Sequence, residues 1–287
     1  MRRDAKAFLV WPTNVITETP LSYAVDPDSP ILYEATVRTP IAPMHSEPRI
    51  ASQMISQQVA GHIVEVLETE GDWSRARGAD GYDGWMHVGF LAPAPRPGAR
   101  KSHQPARMSL GCIAQTANGD HRALPLRAVL SPDEIVESGE VIDLHRVAGR
   151  FPLESGAITR SARELFSGTS YLWGGVTPWG ADCSGLVQST FSLHGTQLPR
   201  DAWQQAELGA NVGRDIDDLL AADLLFFSDR PDKRVTHVGI ALGERRMVHL
   251  ALGRGGYAIE DLSDLNDPFV ERLRERFLFA RRILRSG

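Results

Sequence analysis

Residues 92–101 carry prolines at every second position, Pro93, Pro95 and Pro97, followed by Gly98 and a basic end at Arg100 and Lys101. Each proline fixes its own φ and removes an amide donor, so the stretch favours extended backbone and cannot build a core. It therefore splits the 287-residue chain into parts that must each bury their own apolar surface, and the parts differ in hydrophobic period. Ahead of it, short alternating runs at Tyr33–Val37, Ile55–Val59, His62–Glu68, Trp73–Arg77 and Gly84–Val88 are broken by turn and aromatic pairs such as Gly71-Asp72-Trp73 and Gly81-Tyr82-Asp83-Gly84-Trp85. Short strands this closely spaced predict a small β-barrel. Behind it, Arg107–Ala114, Leu124–Leu130 and Glu140–Asp143, with a turn at Pro132-Asp133-Glu134, read as a weaker copy.

From Phe151 the pattern changes. Ala157, Ile158, Ala162, Leu165 and Phe166 follow helical spacing, as do Leu186, Val187, Thr190 and Phe191. Strand-like stretches then follow at Leu224–Phe227, His237–Leu242, Arg246–Ala251 and Phe277–Ile283. Helices followed by a strand meander predict an α+β domain. The expected organisation is an irregular extension at 1–34, a β module at 35–92, a linker at 93–104, a second β module at 105–150 and an α+β domain at 151–287.

Composition excludes some functions. Lys and Arg number 31 against 36 Asp and Glu, a net charge of −5. Binding nucleic acid or an anionic membrane needs a basic excess that this chain lacks. No apolar run approaches the ~20 residues of a membrane helix. The apolar stretch near the N-terminus, Ala7–Trp11, is shorter than the roughly 7–15 residues of a signal peptide core, so a cytoplasmic location is expected. Two cysteines, Cys112 and Cys183, make no disulfide framework.

Cys183 follows Asp182, a favoured helix N-cap, so it is expected as the first helical residue, where the helix dipole favours thiolate. Cys112, between Gly111 and Ile113 in a β-like run, reads as an inert buried thiol. His237 and His249 lie twelve residues apart in two strand-like segments flanking Gly243-Glu244. In a hairpin, that even separation puts both imidazoles on one face only with a three-residue loop or a bulge, so one of these is expected, with Val238 facing Val248. Nucleophile, base and orienter is the logic of covalent acyl transfer. His45, His62, His87, His103, His121, His145 and His194 lack such a setting and read as structural. No Cys-x-x-Cys or His-x-x-x-His spacing marks a metal site, so neither metal nor cofactor is expected.

These residues carry a resemblance. Tyr171-Leu172-Trp173-Gly174-Gly175, Asp182-Cys183-Ser184-Gly185-Leu186-Val187, Leu198-Pro199-Arg200, Ala222-Asp223-Leu224-Leu225-Phe226-Phe227, Thr236-His237-Val238-Gly239-Ile240 and Val248-His249 resemble, in order, the motifs of the NlpC/P60 cell-wall cysteine peptidases. The 35–150 region is similar to bacterial SH3-like modules. The resemblance implies a papain-like NlpC/P60 catalytic domain preceded by two small SH3-like barrels. Two such modules resemble the subgroup that cuts γ-D-glutamyl–diamino-acid bonds in peptidoglycan stem peptides bearing a free L-alanine amine. That implies Cys183, His237 and His249 as the catalytic set, and Asp182, Ser184, Asp201, Tyr82, Tyr171 and Trp173 at the substrate. Gln53 stands near where the subgroup carries a glutamate, and Ala202 where a serine is common. A histidine as the third residue is expected to orient the base without a full counter-charge. Small stem peptides are the implied partners and murein-peptide recycling the implied role, with amidase or acyltransferase chemistry and an inert peptide-binding protein as alternatives. The sequence leaves the oligomeric state open.

Overall fold

A computed structural model describes residues 29–94 and 106–284. Most of the N-terminal extension and of the linker expected at 93–104 lie outside the described residues. The front module holds β1 (Tyr33–Val37), β2 (Ile41–His45), β3 (Met54–Val59), β4 (Ile63–Glu70), β5 (Trp73–Arg77), β6 (Asp83–His87) and β7 (Leu91–Pro93), antiparallel in the order β3-β2-β6-β5-β4-β1-β7. Pro93 sits on the edge strand β7, opposite Ala35, where a missing amide costs no internal ladder bond. The chain thus leaves this sheet one residue later than the linker reading expects. β2 went unread in the sequence because Pro40 and Pro43 mask its alternation, yet Ala42 and Met44 are fully buried. The second module holds β8 (Arg107–Gln115), β9 (His121–Leu124), β10 (Val129–Leu130) and β11 (Ile135–Asp143), with β8 at the centre of the ladders. Both sheets run as open hydrogen-bonded paths among the described residues, where two closed barrels were expected.

The modules share apolar surface. Val59 and Ala60 of the first pack with Cys112, Ala114, Leu124, Ala128 and Leu130 of the second. Cys112 is buried there, as its β-like setting suggested. Gly61 adopts φ +77°, and a Cβ there would lie 2.3 Å from the Val129 carbonyl oxygen, so only glycine lets the two backbones meet.

The rear domain begins with a helical turn, α1 (Val147–Arg150), then α2 (Ser155–Leu165), a short β12 (Val176–Thr177) and β13 (Gly180–Ala181) pair, α3 (Cys183–Leu193) and α4 (Ala202–Gln205). The sheet that follows comprises β14 (Ala210–Gly213), β15 (Leu224–Phe227), β16 (His237–Gly243), β17 (Arg246–Ala251), β18 (Gly256–Asp261) and β19 (Phe277–Arg282), with α5 (Pro268–Arg276) before the last strand. Its order is β14-β19-β15-β16-β17-β18. One face, with Leu224, Phe226, Val238, Ile240 and Val248, packs on α2 and α3. The other, with Leu225, Phe227, Ala241 and Met247, packs on Leu273 and Phe277. Burial on both faces explains why β15 reads as an unbroken apolar run. β18 and α5 went unread because half-polar alternation and a Glu/Arg-rich helix burying Val270 and Leu273 give weak signals.

Thr190 and nine of the other ten residues of α3 are buried, and the start of the helix is pressed against the glycine loop before it. A Cβ on Gly185 would lie 2.1 Å from the Gly175 carbonyl oxygen. Alanine would gain about 1 kcal/mol of helix propensity, but a backbone clash of this size costs ~1–3 kcal/mol or more. Gly185→Ala is therefore expected to lower the denaturant midpoint; an unchanged or raised midpoint in equilibrium unfolding would contradict the close approach.

Candidate active site

The site is assembled around the start of α3. Asp182 has extended backbone and its Oδ1 accepts from the Gly185 amide at 2.8 Å, which makes it the N-cap and Cys183 the first helical residue, as the sequence suggested. Its carboxylate is otherwise saturated. Oδ1 also accepts from the Ser184 hydroxyl at 3.1 Å and Arg200 Nη1 at 3.0 Å, while Oδ2 accepts from the Gly174 amide at 2.8 Å and Arg200 Nη2 at 2.6 Å. Arg200 is fully buried and donates further to Ser184 Oγ at 2.8 Å and to Ser56 Oγ of β3 at 3.2 Å. With every lone pair engaged, Asp182 is a brace, and Ser184 shares in it. Burial works against the guanidinium charge, but the adjacent Asp182 outweighs it and raises the Arg200 pKa. Sequence reading quoted Arg200 only as part of a motif; an arginine two residues after an apolar Leu198 gives no local sign of a buried partner eighteen residues upstream.

The two β modules supply more of this seam. Gln57 Oε1 accepts from the Val176 amide at 3.2 Å, Gln188 donates to Asp80 at 2.9 Å, and Arg127 donates to Ser189 at 2.8 Å. Tyr82 donates its hydroxyl to Asp201 Oδ1 at 3.4 Å, so the module reaches the Asp201 carboxylate directly. Asp201 also caps α4 through a capping box with Gln204. Burial raises the pKa of Asp201 above the ordinary carboxylate value despite the nearby Arg200. Gln53 is exposed, with its backbone carbonyl accepting from the Ser46 amide.

Cys183 is buried, and the backbone amides of Val238 and Ser184 act on its thiol to favour the charged form. The pairing of β16 with β17 stops at Ile240 and Val248, which leaves the Val238 amide available to the sulfur. The expected thiolate is not what this setting favours. Burial, then the charge of Asp182, push the thiol up to about 12. Burial and the Asp182 charge thus act against the helix dipole, whose effect is ~0.3–1 kcal/mol. Tyr171 lies beside the sulfur; burial, then the charge a thiolate would carry, raise its phenol pKa and keep it protonated as a donor. Trp173, two residues on, is more than half exposed.

His237 and His249 do share a face. The ladder pairs Ile240 with Val248 and Ala241 with Met247, then slips at Leu242 before a two-residue turn whose Glu244 and Arg245 have φ +52° and +60°. The bulge restores the parity, as expected, but the register is shifted by two: Ile240, not Val238, faces Val248. The imidazoles are therefore diagonal neighbours, with His237 Nε2 2.8 Å from His249 Nδ1. Burial, then the charges of His249 and Arg276, hold the His237 pKa well below 6.5. Behind them stands a residue the sequence reading missed. Glu260 of β18 lies 3.2 Å from His249 Nε2 and accepts from Arg254 at 2.8 and 2.9 Å. A full carboxylate thus backs the orienting histidine, while the base itself pairs with an imidazole. The alternation in Tyr257–Glu260 was its available signal. Among the described residues, no cluster of histidine, cysteine and acidic side chains could hold a metal, and no helix is long and apolar enough to cross a membrane.

Truncating one partner of a buried ion pair strands the other, at a cost of ~3–5 kcal/mol. Arg200→Met is expected to lose that much in denaturant unfolding, because the Asp182 carboxylate remains buried. A loss under about 1 kcal/mol would contradict the brace.

Comparison with known proteins agrees with this geometry. Residues 168–271 match the model of the NlpC/P60 family and residues 42–92 that of the bacterial SH3 domain. Over 238 residues the chain is 30% identical to a γ-D-glutamyl-L-lysine dipeptidyl-peptidase of Bacillus subtilis, covering 76% of this chain and 78% of that one. A murein DD-endopeptidase/LD-carboxypeptidase of Escherichia coli K12 is 37% identical over 120 residues, covering 42% and 58%. The crystal structure of an NlpC/P60 family protein from Bacillus cereus superposes with a TM-score of 0.72 at 20% identity, covering 88% of this chain and all of that one. With a peptidase-like cysteine and histidine pair on the matched fold, and a bacterial SH3 domain ahead of it, this chain belongs to the NlpC/P60 family of cysteine peptidases.

Proposed function

We propose that the protein hydrolyses the γ-D-glutamyl–diamino-acid bond of small peptidoglycan stem peptides whose N-terminal L-alanine amine is free. The observation that carries this reading is the contact between Tyr82 and Asp201. It sets a half-buried carboxylate of raised pKa against a wall contributed by another module. An ammonium group stabilises such a carboxylate through charge-assisted hydrogen bonds, and a wall at that point excludes a longer chain. The names borne by the Bacillus relatives support the same bond class.

In this mechanism His237 Nδ1 takes the Cys183 proton as Sγ attacks the γ-carbonyl carbon of D-glutamate. The pair begins as neutral thiol and neutral imidazole, so proton transfer accompanies attack. The Cys183 amide and the Tyr171 hydroxyl are the donors this mechanism assigns to the developing oxyanion. On collapse, the carbon–nitrogen bond breaks and His237 returns its proton to the leaving amine of the diamino acid. Water, deprotonated by His237, then opens the thioester, and the thiol is restored.

With L-Ala-γ-D-Glu-L-Lys as substrate, the expected products are the dipeptide and free lysine. Acetylating the alanine amine is expected to lower kcat/KM about a hundredfold, the size of one lost charge pair of ~3 kcal/mol. Cys183→Ala is expected to keep the fold and release no lysine. Equal rates on free and acetylated peptide, or cleavage confined to murein cross-links, would overturn the reading. Because the His237 pKa is depressed, the base stays neutral as pH falls, so activity is retained down to its folded value and lost below it. The acid limb of kcat/KM is thus expected well under pH 6.5; a limb at or above that value would contradict the depressed pKa of the base.

A further inference from the structure

Glu260 is 4% exposed, and its carboxylate is fixed from two sides. Arg254 grips it with Nε on Oε1 at 2.8 Å and Nη2 on Oε2 at 2.9 Å, and the same guanidinium touches Asp267 and lies 4.3 Å from the centre of the Phe269 ring. Burial pushes the carboxyl up, but hydrogen bonds from His249 and Arg254 outweigh it and hold Glu260 at about 2. An ionised carboxylate accepts and never donates. His249 Nε2, 3.2 Å away, must therefore carry its proton and donate it. When the His249 ring is neutral it has one N–H, so its Nδ1 is left bare. That bare nitrogen is 2.8 Å from His237 Nε2, which must then be the donor of that bond. His237 in turn is left with a bare Nδ1, the lone pair a base needs to take a thiol proton.

We propose that Glu260 is a positioning residue for the reaction: its charge sets the tautomers of both histidines in series and so presents His237 as an acceptor to Cys183. The proposal rests on the reading of Cys183 and His237 as nucleophile and base. Charge is the operative property. Were residue 260 a neutral amide, its one carbonyl oxygen would go to the Arg254 guanidinium, and its NH₂ would face His249 Nε2. His249 would then hold its proton on Nδ1, His237 Nε2 would have to accept, and His237 Nδ1 would carry a proton toward the sulfur. The base would be intact, correctly placed and unable to accept.

Glu260→Gln and Glu260→Asp test this in the full chain, with L-Ala-γ-D-Glu-L-Lys as substrate and imidazole ¹⁵N shifts as a second readout. In the parent protein both rings are expected to show bare Nδ1 and protonated Nε2. In Glu260→Gln both are expected to invert, with kcat reduced at least a hundredfold, within the range of general-base effects, and KM within about threefold. Glu260→Asp keeps the charge and is expected to retain the parent tautomers and recover kcat at least tenfold over the Gln variant. Parent tautomers and kcat in Glu260→Gln would overturn the proposal. If Glu260→Gln fails to fold, inverted tautomers in Glu260→Asp or in the parent protein would overturn it equally. Cys183→Ala separates the two levels: lysine release by that variant defeats the nucleophile reading, whereas an inactive Cys183→Ala beside an unaffected Glu260→Gln defeats the positioning role alone.

Discussion

The ion pair between Asp182 and Arg200 is where the molecule's parts are tied together. Its carboxylate caps α3 and holds the glycine loop, and its guanidinium reaches Ser56 of the front module. Both partners are almost fully buried, with side chains 1% and 8% exposed. A pair in that position adds little net stability over an apolar substitute, because desolvating two charges offsets most of their attraction. What it supplies is position. Three chain segments far apart in sequence must arrive together to satisfy it, and the first residue after the cap is Cys183.

The same burial governs the chemistry. Burial and the neighbouring Asp182 carboxylate disfavour the thiolate of Cys183, and burial likewise disfavours the charged form of His237. Reactivity then depends less on a standing thiolate than on which nitrogen of the base is bare. That requirement is met from behind, through His249 and Glu260, and is anchored by Arg254 and Asp267. On the substrate side, Asp201 caps a helix and faces Tyr82 of a neighbouring module, so the selectivity proposed here depends on the seam as much as on the catalytic domain.

The sequence showed local features well. β1, β5, β15 and β17 begin and end where alternation and turn residues put them. Asp182 as cap and Cys183 as first helical residue follow from one short motif. Parity along a strand is a local property, so the need for a bulge near Leu242 could be read from His237 and His249; the register could not, since it depends on where the turn closes. The bonds that Asp182 and Ser184 make to Arg200 were not legible, because that partner is invisible without the fold. Glu260 was missed for the same reason: its strand is weakly patterned and its significance lies in two neighbours on other elements. The helix dipole at Cys183 can be inferred from a motif, whereas the desolvation that pushes its thiol up cannot.

The ionisation of Cys183 in the resting protein tests this account most directly. Thiolate absorbance, measured as the difference between the parent chain and Cys183→Ala so that Cys112 cancels, reads it across the pH range. No thiolate from Cys183 is expected at neutral pH, with ionisation appearing only toward the strongly alkaline end. A full thiolate signal at neutral pH would mean that the sulfur and His237 rest as an ion pair, and the neutral-pair mechanism would be wrong.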